Sequence, residues 1–339
     1  MIRPADYFTV EEIVRLRARN PWRSVWLICH VWGVVFGAMA VFVLWPNPLT
    51  FLLAWALIGA RQLGLAILVH DAAHGALFPN RKLNDRVSDW LLGYPVLTDT
   101  RAYRAYHLVH HKYTQQAEDP DLALSAPFPI TRSSFKRKLW RDISGQTGFK
   151  QRKAQIKAAL GTPDMPLSAR LAVFRRKLGG PLIANLVLFG GLAALGYWYL
   201  YPLLWVLPLL TYYQLITRIR NIAEHAMVPD NDDPFRHART TKANLIERAL
   251  VAPYWVNYHV EHHLMMWIPC YNLPMARRFL IANGFGERME TKSGYAEVLR
   301  MATSRPDTED RPGDVIHNAR RRRVSGVTSE GFEENQDAA

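Results

Sequence analysis

Cysteine is scarce. Cys29 and Cys270 are the two in 339 residues, and their separation excludes both a disulfide framework and a CxxC metal site while leaving the redox compartment unmarked. Acidic residues are outnumbered, 29 against 42 Lys and Arg, for a formal charge of +13. Neither a dinucleotide fingerprint of the GxGxxG kind nor a Walker-type phosphate loop occurs. No cleavable leader is expected either: Arg3, Arg15, Arg17, Arg19 and Arg23 precede the first apolar run, so the first apolar span is expected to be its own targeting signal. The positive charge comes without any nucleic-acid motif, and nucleic acid is not an expected partner.

What the chain has instead is segregation. Hydrophobic residues make up 49% and Trp is unusually frequent at 11, yet the apolar residues lie in blocks beside strongly basic ones. Val25–Trp45 is 21 residues without formal charge, enough at about 1.5 Å per residue to cross a hydrocarbon core of about 30 Å. After PNPLT, residues 51–70 form a second apolar run, interrupted by Arg61 and Gln62. Residues 181–200 and 202–217 repeat the pattern as a second hairpin. Between the hairpins, Ser133–Gly180 carries twelve Lys or Arg against Asp142 and Asp164, which the positive-inside rule places with the Arg-rich N-terminus in the cytoplasm.

The expectation is an all-α integral membrane fold: four transmembrane helices in two hairpins, with a cytoplasmic helical cap. One membrane domain is expected over 1–302, and the polar run 303–339 is expected to be a disordered tail. The short run Trp90–Leu97 is expected at the interface. Interfacial belts account for the aromatics Trp26, Trp45, Trp198 and Tyr201. The basic stretch Lys136–Lys177 fits anionic headgroups, or a docking surface for an acidic electron carrier.

Nine of the twelve histidines fall in four groups: His70 and His74 in HDAAH; His107, His110 and His111 in HLVHH; His225 in NIAEH; His259, His262 and His263 in HVEHH. On a helix, positions i, i+3 and i+4 share a face, so each box can aim its imidazoles at one point. The expected topology puts all four groups on the cytoplasmic side. Nine imidazoles exceed what one tetrahedral ion takes, which implies two metals, and imidazole alone does not choose among Fe, Cu, Ni and Zn. His30, His237 and His317 lie outside the boxes and are read as non-ligands.

These boxes, with the stretch HVEHHLMMWIPCYNLP, resemble the three-box signature of integral-membrane fatty acid desaturases and related hydroxylases, over about Ile58 to Leu280. The resemblance is to the bacterial acyl-lipid type. It implies two Fe ions held by all nine box histidines, Asn221 of NIAEH holding a water at the metal, and O2 as co-substrate. It also implies an acyl-lipid or acyl-thioester substrate in the bilayer and a placement in the bacterial inner membrane with site and termini cytoplasmic. Three residues separate the histidines of HDAAH where acyl-CoA members have four, and His259 stands where front-end desaturases have Gln. No HPGG haem signature occurs, so electrons must come from a separate carrier, a ferredoxin or a cytochrome b5-like protein with its reductase.

Ligating imidazoles usually donate their second N–H to a carboxylate or carbonyl, and Asp71, Glu118, Asp119, Asp121, Glu224 and Glu261 lie next to the boxes as candidates. The leading expectation is desaturation of a fatty acyl chain. Hydroxylation or ketolation of a carotenoid or sphingoid lipid by the same centre is the nearest alternative. A polytopic metal transporter or sensor is the alternative of another class, but its ligands belong within the spans.

Overall fold

Asparagine followed by proline sets the start of the two long N-terminal helices. Asn20 accepts the N–H groups of Trp22 and Arg23 at 3.0 and 3.2 Å, and Pro21 opens the helix Pro21–Leu44. Asn47 does the same for Leu49 and Thr50, with Thr50 Oγ1 accepting the Asn47 N–H in return, and Pro48 opens Pro48–Ala73. A side-chain acceptor at the cap and a residue without N–H at the first position satisfy the donors that a helix start leaves bare. This computed structural model describes residues 3–229 and 232–306. Most of the expected polar tail, 307–339, lies outside the described residues.

Contacts divide the chain into two units. One consists of Asn20–Tyr103 and Trp140–Ile216. Its core is the helix Pro48–Ala73, whose Ile58, Leu65 and Leu68 are fully buried along with Trp205. Asn185 ties this unit together: its Oδ1 accepts from Tyr201 Oη and Trp205 Nε1 at 2.9 and 3.2 Å, and its Nδ2 donates to Tyr94 O at 3.0 Å. Gly180 is required beside it, because a Cβ there would sit 2.3 Å from the Tyr94 ring. Gln62, the polar break in the second apolar run, donates Nε2 to Trp205 O at 2.7 Å, and Arg61 beside it is buried. Outward-facing apolar side chains such as Leu186 and Val187, 65% and 70% exposed, form the kind of surface that lipid covers.

Among the described residues three helices are long and apolar enough to cross a bilayer: Pro21–Leu44, Pro48–Ala73 and Leu167–Ala194. The third differs from the expected 181–200 at both ends. It begins at Leu167 and passes through the basic turn Arg175–Gly179, because lysine and arginine bound an apolar run without ending a helix, and Pro181 sits in a first-turn position of the next segment. It stops at Ala194, and residues 195–200 form the turn, with Gly196 at φ +82°. The expected fourth span, 202–217, is not one regular helix. A wide turn Tyr201–Val206 leads to Leu207–Leu210, the backbone breaks at Thr211 (φ −120°, ψ −85°), and Tyr212–His225 follows. Pro208 lacks an N–H for the helix ladder, and Thr211 Oγ1 donates to Leu207 O at 2.6 Å while accepting from Trp55 Nε1 at 2.9 Å. Trp90–Leu97 is likewise irregular: a wide turn, Asp89–Gly93, and a tight one, Tyr94–Val96, end on Leu97 at φ +66°.

The other unit takes residues up to Arg19, Arg104–Leu139 and those from Thr217 onward. It is built of short helices around a two-residue parallel pairing of Thr240–Thr241 with Thr291–Lys292. Arg239 is buried in it at 0% exposure. Arg239 donates Nη1 to Ala226 O at 2.8 Å, Nη2 to Met227 O at 3.0 Å and Nε to Glu290 at 3.1 Å. It therefore holds the two carbonyls just past Tyr212–His225, whose last residue is His225, while its backbone N–H donates to Glu224 O at 2.8 Å. Past the last helix, Tyr295–Ala302, the chain continues in contact with the unit, as Arg305 bridges to Thr131.

Candidate metal centre

The first box sits where the helix Pro48–Ala73 ends, and the ending is dictated by Gly75. At φ +70° this glycine lets Ala76 N–H reach Asp71 O and Gly75 N–H reach Ala72 O, both at 2.9 Å, the paired bonds of a Schellman stop. His70 and His74 thereby project from the last turn, ring centroids 5.0 Å apart, with Asp71 3.8 Å from His70 Nδ1. Within its own unit this pair lies near the Tyr103 ring.

In the other unit the second and third boxes face each other from the helices Thr100–Tyr113 and His259–Leu264. His111 Nε2 lies 2.9 Å from both His107 Nε2 and His262 Nε2. His259 Nε2 lies 2.8 Å from His225 Nε2 and 3.1 Å from His263 Nε2, and His110 completes this second set with ring centroids 4.8 Å from His225 and 5.1 Å from His263. Each box divides in the same way. Its i, i+4 pair goes to one set and its i+3 residue to the other, because i and i+4 are 40° apart around a helix while i+3 lies on the far side of i.

The sets fit metal ions. Imidazoles in cis positions about 2.1 Å from one ion stand about 3.0 Å apart, close to the 2.8–3.1 Å observed. All the nitrogens brought together are Nε2, leaving Nδ1 for supporting bonds. Burial, reinforced by neighbouring His110, pushes His225 well below the ordinary imidazole range, and burial with the surrounding histidines does the same to His263. Both therefore present neutral rings, as ligation requires. His110 behaves oppositely: burial would lower it, but the bond to Asp119 and the carboxylates around it raise it. Glu224 and Asp121 are pushed up by burial, against the pull of Arg220 on Glu224 and of His110 on Asp121.

The expected supporting acids separate into those that touch histidine and those that do not. Asp119 Oδ1 lies 2.8 Å from His110 Nδ1, and its Oδ2 accepts Gln115 N–H at 2.8 Å. Gln115 adopts φ +64° to do so, and its Nε2 donates to His225 O at 3.2 Å, joining the second box to the fourth histidine group. Asp121 stands 3.7 Å from His110 Nδ1 and accepts from Tyr106 Oη. Glu224 is gripped by Arg220 Nε at 2.7 Å and stands 3.5 Å from His259 Nε2. Glu118 is exposed. Glu261 is 0% exposed but faces away from the ligands, accepting from Thr240 Oγ1 at 2.5 Å and Arg277 Nη1 at 2.7 Å. Asn221 lies half-buried one turn before His225 on the same helix face.

Thr240, Gln115, Arg220, Arg239 and Arg277 were invisible to reasoning from the boxes. Only Arg220 had a signal, its i, i+4 spacing to Glu224. His237, set aside as a non-ligand, lies with its ring 5.5 Å from His263, closer to the second set than its isolation in the sequence implies.

Imidazoles in two sets that could hold metal, carboxylates near them, and helices long and apolar enough to cross a membrane mark a membrane-associated protein of the multi-histidine type. Residues 46–288 match the family described as fatty acid desaturase. The chain belongs to that family and is an oxidoreductase of the desaturase type. It is 31% identical over 263 residues to the dihydrorhizobitoxine desaturase of Bradyrhizobium elkanii, covering 75% of this chain and 70% of that one. To the sn-1 oleoyl-lipid 12-desaturase of Anabaena variabilis it is 24% identical over 294 residues, 78% of this chain and 77% of the relative. A shorter stretch, 126 residues at 30% identity, matches the chloroplastic sn-2 acyl-lipid omega-3 desaturase (ferredoxin) of Helianthus annuus, 37% of this chain and 27% of the relative.

Proposed function

We propose that this chain is an O2-dependent di-iron desaturase that introduces a double bond into a fatty acyl chain carried on a lipid or thioester. The observation that carries the reading is the mirrored division of the second and third boxes into two sets with Nε2 atoms 2.8–3.1 Å apart. His107, His111 and His262 would hold one iron and His110, His225, His259 and His263 the other. His70 and His74 would complete the ligand set, and Asn221 would hold a water at the second iron. A bound iron pair supplies the activation of O2 that an unactivated C–H bond demands. The overall change balances as –CH2–CH2– with O2, two electrons and two protons giving –CH=CH– and two waters.

The chain's own residues then have defined tasks. Asp119 fixes the His110 ring and raises its basicity, and Arg220 holds Glu224 in place 3.5 Å from His259 Nε2, on the side where that nitrogen meets His225 and His263. In this reading the irregular run 202–217 is the fourth crossing, the boxes lie in a cytoplasmic helical cap, and the protein resides in the inner membrane. The electron donor is separate; the ferredoxin in the name of the Helianthus annuus relative supports a carrier of that kind.

The test is a mass-spectrometric profile of acyl chains from a host expressing the wild type with ferredoxin and reductase, against His262→Ala. A new unsaturated species in the wild type alone is expected. Hydroxylated or oxo products in its place would transfer the reading to the hydroxylase or ketolase class. Because one relative is named for dihydrorhizobitoxine, a compound of that class is the second substrate to supply.

A further inference from the structure

A cavity of about 270 Å³ opens behind the third box, with Thr240, Lys242, Arg248, Asn257, Tyr258 and Arg277 in its wall. The chain reaches it by a constrained route. Tyr254 and Trp255 are both left-handed, φ +51° and +57°, a conformation that non-glycine residues adopt rarely and that clusters at functional sites. The Trp255 ring supports the Arg248 guanidinium, 5.9 Å from its centroid.

The wall is cationic and partly unsatisfied. Arg277 is committed, Nη1 to Glu261 at 2.7 Å and Nη2 to Thr291 Oγ1 at 3.0 Å. Lys242 and Arg248 form no ion pair among the described residues. Asn257, 5% exposed, donates Nδ2 to Thr241 O at 3.0 Å, while its Oδ1 is buried without a hydrogen-bond partner. A buried acceptor left open beside two uncommitted cations calls for a ligand that is anionic and also carries a donor. Phosphate esters bearing a hydroxyl or amide N–H combine the two. The volume is below the roughly 300 Å³ at which pockets take a whole drug-sized ligand, so it suits a head group and not an acyl chain.

We propose that this cavity binds the phosphate of the substrate's head group, whether a phospholipid's phosphoglycerol or the phosphate of a soluble thioester carrier; the assignment rests on the acyl substrate proposed above. Thr240 and Arg277 line the cavity and both bond Glu261, which lies between His259 and His262. Head-group capture therefore occurs against the residues that fix the third-box helix.

The test uses the iron-loaded full chain in detergent, titrated calorimetrically with inorganic phosphate, glycerophosphoglycerol and coenzyme A, in parallel with the double variant Lys242→Gln, Arg248→Gln. Both substituted side chains are exposed, and unchanged iron content establishes that the variant is folded. One of the two organic phosphates is expected to bind about tenfold or more tightly than inorganic phosphate, and the variant to lose about tenfold of that affinity. Preference for glycerophosphoglycerol identifies a lipid head group, and preference for coenzyme A a thioester carrier. Equal binding of all three, or undiminished binding by the variant, overturns the proposal. The readout is binding, so a chain that desaturates acyl lipids without this binding sinks the head-group site alone. A chain that binds the phosphate yet leaves acyl chains saturated sinks the activity reading alone.

Discussion

His110 and Asp119 are joined at 2.8 Å through Nδ1 and Oδ1, both side chains almost wholly buried. The bond fixes the tautomer: Nδ1 carries the proton to the carboxylate, and Nε2 is left with its lone pair toward His225 and His263. Asp119→Asn keeps the shape and loses the charge. It is expected to lower iron affinity about 10- to 100-fold, measured as iron retained per chain after chelator challenge. Wild-type retention would remove Asp119 from the centre.

His262→Ala deletes the residue of the third box whose Nε2 lies 2.9 Å from His111. Its neighbours His259 and His263 serve the other set. Half or more of the bound iron and essentially all desaturation should disappear, while membrane insertion, read by carbonate extraction, stays at the wild-type level. An active variant with reduced iron would refute the ligand role.

Much of this arrangement was legible in the boxes themselves. The i, i+3, i+4 spacing fixes which imidazoles share a face, whereas the Asn-Pro caps at 20–21 and 47–48 start the first two helices ahead of the apolar runs expected from 25 and 51. The same helical period also shows why Glu261 is no partner for the imidazoles: two positions past His259, it points about 200° around the axis. What the boxes did not disclose is held by distant residues. Thr240 and Arg277 lie 21 and 16 positions from Glu261, and no local pattern links them. The irregular run 202–217 was misread as a regular helix because hydropathy counts Pro208 and Thr211 by polarity and ignores the backbone bonds they remove or divert.

Gly75→Ala should disturb the first box without touching a histidine. The left-handed φ of +70° disfavours a Cβ, which would also come 2.7 Å from Arg81 Nη1. A loss of about 1 kcal/mol in stability is expected, with a further drop in iron affinity as His74 shifts. Denaturant unfolding and metal analysis check the two effects separately.

Arg239→Leu removes a guanidinium that holds two carbonyls at the end of Tyr212–His225 and pairs with Glu290. Breaking a buried pair from one side costs about 3–5 kcal/mol, a large part of a domain's stability. The variant is expected to unfold at markedly lower denaturant. A double variant Arg239→Leu, Glu290→Leu should recover part of the loss, and no recovery would place the role of Arg239 in the carbonyl bonds alone.

The third-box helix is six residues long, His259–Leu264, far short of what persists unaided in water. It is fastened from behind by Glu261, which Thr240 and Arg277 grip. Because all six of its residues are buried, the alignment of its three imidazoles depends on that anchor, and loss of the anchor would scatter the nitrogens along with the helix.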